Sequence, residues 1–196
     1  LEGKKISYRN HEVRVRTGTR GIIRIEVKND FLKLTIPKGI DPMFVIRKNR
    51  DWIDKHLSVI EKAKKLSYEL KLLSRTNDDF RRVVRNKIEA IGSELSIKPR
   101  RVVFRYMKSK WGSWSRNRII TLNSFLRFLP ERLIGYVVTH ELLHFIEPFH
   151  TEEFYALLEH YFPDSERCDV ELLAYWMLLK RTGIVEKHIA AKSLRA

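Results

Sequence analysis

The stretch from Pro130 to Tyr161 constrains this chain most, because His140, Glu141 and His144 spell H-E-x-x-H within it and His150 follows six residues later. On an α-helix, residues four apart stand one above the other, so the imidazoles of His140 and His144 can converge on one cation. Glu141 lies beside the first of them. A carboxylate so placed can reach a water held on the metal without itself becoming a ligand, which is what a general base requires. Zinc suits such a set, because its catalytic sites use three protein ligands and bring the pKa of the remaining water to about 7.

The residues around the motif predict the helix. Pro130 suits the first helical position and Glu131 puts a negative charge in the first turn. Leu133, Ile134, Val137, Val138, Leu142, Phe145 and Ile146 leave little polar surface. Two histidines and a glutamate in so apolar a helix are costly to bury alone, and a metal supplies a partner. His150 is the expected third ligand, since Pro148 ends the helix and lets the chain swing back. Glu147, Glu153 and His160 are the alternatives ranked below it. The bland reading, ordinary helix residues, leaves the coincidence of motif, apolar helix and His150 unexplained.

At 196 residues, 43% of them hydrophobic, the chain has room for one domain with a good core or a small domain with an appendage. A single cysteine, Cys168, excludes an internal disulfide and argues for a reducing, cytoplasmic setting. No segment approaches the roughly 18 to 20 apolar residues of a membrane span, and Leu1 to Lys5 hold no apolar signal core. The net charge of +15 is unevenly placed: residues 1–110 hold 29 Lys and Arg against 13 Asp and Glu, whereas residues 111–196 hold 10 against 11. The basic part therefore suits an acidic partner, nucleic acid first, unless it is only a solvated charged surface.

Taken in order, the first forty residues alternate apolar and charged positions at Val13 and Val15, at Ile23, Ile25 and Val27, and at Leu32, Leu34 and Ile36. That period predicts a small antiparallel sheet, with turns at Gly18 to Gly21 and at Asn29 and Asp30. Asp41 and Pro42 open a helix running to about Lys65, and Asn77 caps another that Pro99 stops. A strand is expected from Arg101 to Tyr106, then a turn containing Gly112, then an antiparallel partner from Ile119 to Leu122. Zinc peptidases often hold an extended substrate on a sheet edge near the metal, which gives this second strand its interest. Thr151 caps a helix ended by Pro163, Asp164 or Ser165 opens the next, and Gly183 stops it.

Lys110-Trp111-Gly112-Ser113-Trp114-Ser115, Ile119 to Asn123, His140-Glu141-Leu142-Leu143-His144 and Phe149-His150-Thr151 with Glu153-Phe154 together resemble the successive signatures of the YgjP-type metallopeptidases, small relatives of the SprT and WLM zinc proteases. The resemblance is close over residues 100–162 and looser around Trp52. It implies His140, His144 and His150 as zinc ligands and Glu141 as catalytic base. Trp114 stands where that family often has cysteine, and Phe149 where it usually has asparagine. The resemblance also carries a second activity, a nucleotide pyrophosphatase acting on UTP, and through SprT relatives a link to proteins bound to DNA.

These readings predict an α+β protein: a basic antiparallel β-rich part (1–40), a helical connector (41–98), a small gluzincin-like zinc-peptidase core (99–183) with H-E-x-x-H on a buried helix, and a C-terminal tail (184–196). The expected reaction is hydrolysis of a peptide or protein substrate with one zinc ion, Glu141 moving the proton and Tyr136 or Lys110 as the oxyanion donor to test. The alternatives are a metal-dependent UTP pyrophosphatase and a nucleic-acid-binding protein, using basic residues within 1–110, in which zinc is structural. No membrane partner is expected.

Overall fold

Alternate apolar residues of Phe31–Ile36 turn one face of the strand to a core, where Leu32, Leu34 and Ile36 are all buried. This strand is β4 of a four-stranded sheet in the order β1-β2-β4-β3, with β1 at Ile6–Tyr8, β2 at His11–Thr17 and β3 at Arg24–Val27. The computed structural model describes residues 6–18, 21–28 and 31–193, the side chains of the last two excepted. The chain divides into two compact units, 1–65 and 66–196. The stretch expected as a connector, 41–98, is shared between them.

The first sheet is mixed, which corrects the antiparallel sheet expected from sequence. β1 and β3 run antiparallel to their neighbours, but β2 pairs β4 in parallel, Val13 opposite Leu32 and Thr17 opposite Ile36. Gly18 and Gly21 therefore lie on a crossover and not in a hairpin turn. Strand alternation reports which side chains face the core and says nothing of strand direction. The turn expected at Asn29 and Asp30 lies outside the described residues. Arg9 and Asn10, both at positive φ, make the β1–β2 hairpin turn. Helix α1 (Pro42–Lys48) is capped by Asp41, whose carboxylate accepts from the backbone of Met43 and Phe44. A break at Asn49 separates it from α2 (Arg50–Glu69), where one continuous helix was expected. Val45, Ile46, Ile53 and Leu57 close the first core against the sheet.

In the second unit α3 (Asn77–Glu94) is capped one residue earlier than expected, by Thr76, whose hydroxyl accepts from Asp79 N–H, so that Asn77 is its first residue. Three strands follow: β5 (Arg101–Arg105), β6 (Gly112–Ser115) and β7 (Ile119–Asn123), in the order β5-β7-β6. β7 is parallel to β5 and antiparallel to β6. The expected antiparallel hairpin of 101–106 with 119–122 is thus replaced by a parallel pair, and Gly112, expected in a turn, begins the edge strand β6. Buried Ile120 and Leu122 put β7 in the middle. A 3-10 turn (Ser124–Phe128) leads to α4 (Glu131–Leu143), then α5 (Glu152–Tyr161), α6 (Ser165–Arg181) and α7 (Ile184–Ser193). The molecule is α+β, and no helix among the described residues is long and apolar enough to cross a membrane.

Helix α4 lies in the centre of the second core, with ten of its thirteen residues buried. Arg132, near its start, ties it to α6: its guanidinium donates to Asp164 and Glu171 at 2.6 Å each and to Cys168 Sγ at 3.0 Å, while Arg167 holds the other Glu171 oxygen at 2.9 Å. Burial pushes the Cys168 thiol up to about 11 against the pull of Arg132. Arg132→Ala leaves Glu171 half-paired in a mostly buried position and is expected to destabilise the chain by about 1–3 kcal/mol, read as a lower urea midpoint at unchanged m-value. Cys168, neutral and fully buried, is expected to resist iodoacetamide at pH 8 in the native chain and to gain one adduct by mass after denaturation.

Candidate active site

Helix α4 brings His140 and His144 to one end of the core, and the chain beyond it returns His150 to the same place. The helix closes at Leu143, earlier than Pro148 alone predicts, through tightened bonds from Phe145 N–H to Leu142 O and from Ile146 N–H to Leu143 O. Pro148 keeps Glu147 out of the helical region, so the turn cannot continue. Thr151 then caps α5, accepting from Phe154 N–H at 3.3 Å. His150 lies between these two anchors.

One nitrogen from each of His140, His144 and His150 lies within 4.8 Å of the others, and the Nε2 atoms of His140 and His150 are 3.0 Å apart. Nitrogens each about 2.0–2.1 Å from a tetrahedral ion stand roughly 3.3 Å apart, so the spacing fits one metal. The donor chemistry fits too. Burial, followed by the neighbouring histidines, pushes His140 down to about 3, and burial lowers His144, so both imidazoles are neutral with lone pairs to give. His144 Nδ1 is 3.1 Å from Glu147 O, and donation there leaves its Nε2 as the free lone pair. Among the described residues this group contains no fourth His, Cys, Asp or Glu. Glu147 instead accepts from Phe149 N–H at 3.2 Å, and Glu153 and His160, exposed on α5, stand outside the group.

Phe154 underlies all three imidazoles. Its ring centroid is 4.9, 4.7 and 4.8 Å from those of His140, His144 and His150, and it is fully buried. Trp114 of β6 stacks on the other side of His144 at 5.7 Å. Sequence periodicity reads Phe154 only as one of an apolar face, because spacing within α5 cannot tell which neighbour that face meets.

Glu141 is 6% exposed, and burial pushes its carboxyl up to about 8, with Lys110 pulling it back. It is accommodated by a glycine. A Cβ on Gly112 would lie 2.7 Å from Glu141 Cγ and 2.8 Å from Cδ, closer than atoms can approach. Asn123, fully buried at the end of β7, holds the loop before Gly112: its Nδ2 donates to Met107 O and Lys110 O at 2.8 Å each, and its Oδ1 accepts from Phe125 N–H. Gly112 and Asn123 stand in the sequence signatures, but only the folded chain shows what they touch.

A cavity of about 450 Å³ opens over these residues, lined by Trp111, Gly112 and Trp114 on one side and by His140, Glu141 and His150 on the other. Of the two residues named as oxyanion donors, Lys110 borders this cavity. Tyr136 borders it too, but donates its hydroxyl to Asp169 at 2.8 Å, and burial, then Asp169, push the phenol up. Its proton is already committed.

A family model of the YgjP-like metallopeptidase domain matches residues 69–175, more than half of the chain. The metallopeptidase zymogen abylysin of Pyrococcus abyssi is 25% identical over 45% of this chain and 88% of its own, with a TM-score of 0.40. The metallopeptidase zymogen jannalysin of Methanocaldococcus jannaschii is 27% identical over 48% of this chain and 96% of its own, with a TM-score of 0.42. No curated protein sequence matches significantly. With the three-histidine group and its neighbouring carboxylate lying inside the matched segment, the chain belongs to the YgjP-like metallopeptidase family and is a hydrolase of the metal-dependent peptidase class.

Proposed function

We propose that this chain hydrolyses peptide bonds at one zinc ion held by His140, His144 and His150, with Glu141 as the general base. The observation that supports this reading is the convergence of three imidazole nitrogens within 4.8 Å beside a buried carboxylate. An all-nitrogen set of three suits zinc better than magnesium or calcium, which prefer oxygen. Zinc in that set would supply a Lewis acid and bring the pKa of a water to about 7.

The chain's own residues account for the rest. Glu141 takes a proton from the attacking water and returns it to the leaving amine, a task for which a pKa lifted toward neutrality is suited. Phe154 and Trp114 pack against the ligand rings and restrict their rotation, and Glu147 O fixes the tautomer of His144. β6 is the edge of its sheet and borders the cavity through Gly112, Ser113 and Trp114. An extended peptide can add to that edge through main-chain hydrogen bonds, which presents a backbone carbonyl without selecting a sequence. Lys110 is the oxyanion donor we assign, since Tyr136 is engaged by Asp169.

The test compares the parent chain with Glu141→Gln for zinc content and for cleavage of an unfolded protein. One zinc in each, with cleavage by the parent alone, is the expected result. UTP hydrolysis that survives zinc removal and depends on magnesium would replace the peptidase reading with the pyrophosphatase one. Gly112→Ala is expected to keep one zinc per chain, because no ligand moves, while hydrolysis falls about a hundredfold as the new methyl displaces Glu141. Equal activity in Gly112→Ala and the parent would show that Glu141 does not work from the position it holds here.

A further inference from the structure

The sheet of the second unit has two edges, and only β6 borders the catalytic cavity. The other edge, β5, borders a larger groove of about 600 Å³ whose opposite wall is α3. Val102 and Phe104 of β5 form its floor with Val84 and Ile88 of α3. Phe104 is anchored edge-on against Phe80 at 5.2 Å. The far end is closed by a tight turn after α3, in which Ile97 N–H donates to Gly92 O at 2.7 Å. The approach there requires glycine, since a Cβ at position 92 would lie 2.5 Å from Ile97 O.

The backbone of β5 has bonding capacity left on this side. Arg101 N–H is directed to Arg118 O across the ladder to β7. The alternation of a parallel ladder therefore turns the N–H and C=O groups of Val102 and Phe104 toward the open edge. The rim is basic: Arg81, Arg85 and Lys98 border the groove against the single carboxylate of Glu89. Arg81 reaches Asp78 at 3.6 Å, but no described carboxylate forms a salt bridge with Arg85 or Lys98. Arg101 and Arg105 are exposed at the two ends of β5.

We infer that this groove takes up an extended acidic peptide segment, which adds as a strand to β5, seats alternate apolar side chains over Val102 and Phe104, and sets its carboxylates against Arg85 and Lys98. A strand between a sheet edge and a helix satisfies its backbone on one side and its alternate side chains on the other. Positive charge on an edge ordinarily deters pairing. Here it repels a second copy of the same basic strand and leaves the edge open to an acidic one. Part of the basic excess of residues 1–110 thereby gains a partner. The inference concerns a surface apart from the catalytic cavity and does not depend on the zinc-peptidase mechanism.

The experiment measures fluorescence anisotropy of a short fluorescein-labelled peptide of alternating valine and glutamate on the full chain carrying Glu141→Gln, so that the probe is not consumed. Saturable binding that persists in 1,10-phenanthroline is expected. Arg85→Glu combined with Lys98→Glu, both exposed positions whose reversal leaves the circular dichroism unchanged, is expected to weaken it about tenfold. N-methylation of alternate backbone amides of the probe is expected to abolish it, which a purely electrostatic contact would not do. Binding that disappears with the chelator would put the peptide in the catalytic cavity and overturn the inference. So would binding indifferent to the charge reversal or to N-methylation, and equal competition by an oligonucleotide would transfer the surface to nucleic acid.

Discussion

The arrangement of this site depends on the packing of Glu141 against Gly112, where a Cβ would lie 2.7 Å from Glu141 Cγ. A carboxylate with 6% exposure on an apolar helix needs space that no ordinary residue opposite it would leave. The space exists because β6 begins at a glycine and lies against α4. β6 is in turn held by its antiparallel ladder to β7, and the loop before it by the two hydrogen bonds that Asn123 Nδ2 donates to Met107 O and Lys110 O. The small sheet thus places a residue without a side chain beside the buried Glu141 carboxylate.

The three-histidine group rests on a different support. α4 is buried along nearly its whole length and tied to α6 through Arg132, so His140 and His144 project from a rigid element. His150 comes from a loop, which is a weaker platform, and it is compensated by the Thr151 cap and by Phe154 one turn further on. A single aromatic ring touching three imidazoles packs them against the core. The two histidines on the helix are kept neutral by burial, the state in which they can bind a cation at all.

The sheet that serves the site also divides the surface of its unit. Its central strand β7 takes the apolar burial, and the two outer strands differ in their surroundings: one borders a cavity with histidines and a carboxylate, the other a groove with an apolar floor and a basic rim. Both edges keep unpaired main-chain groups, the common requirement for taking up an extended chain.

The motif at 140–144 was legible in the sequence because helical spacing is local: two histidines four apart must share a face, and Glu141 must sit beside them whatever the rest of the chain does. His150 followed from the stop that Pro148 imposes. Helix starts at Asp41 and Thr151 were equally local, since a cap bonds within three residues. Strand direction was not legible, because alternation is the same for parallel and antiparallel partners, and both sheets proved mixed where antiparallel pairs were expected. Nor could spacing reveal that Gly112 faces Glu141, that Phe154 underlies the three histidines, or that Tyr136 donates a hydrogen bond to Asp169. These contacts join residues far apart in the chain, and only the packing of α4 against the sheet and against α5 and α6 determines which of them meet.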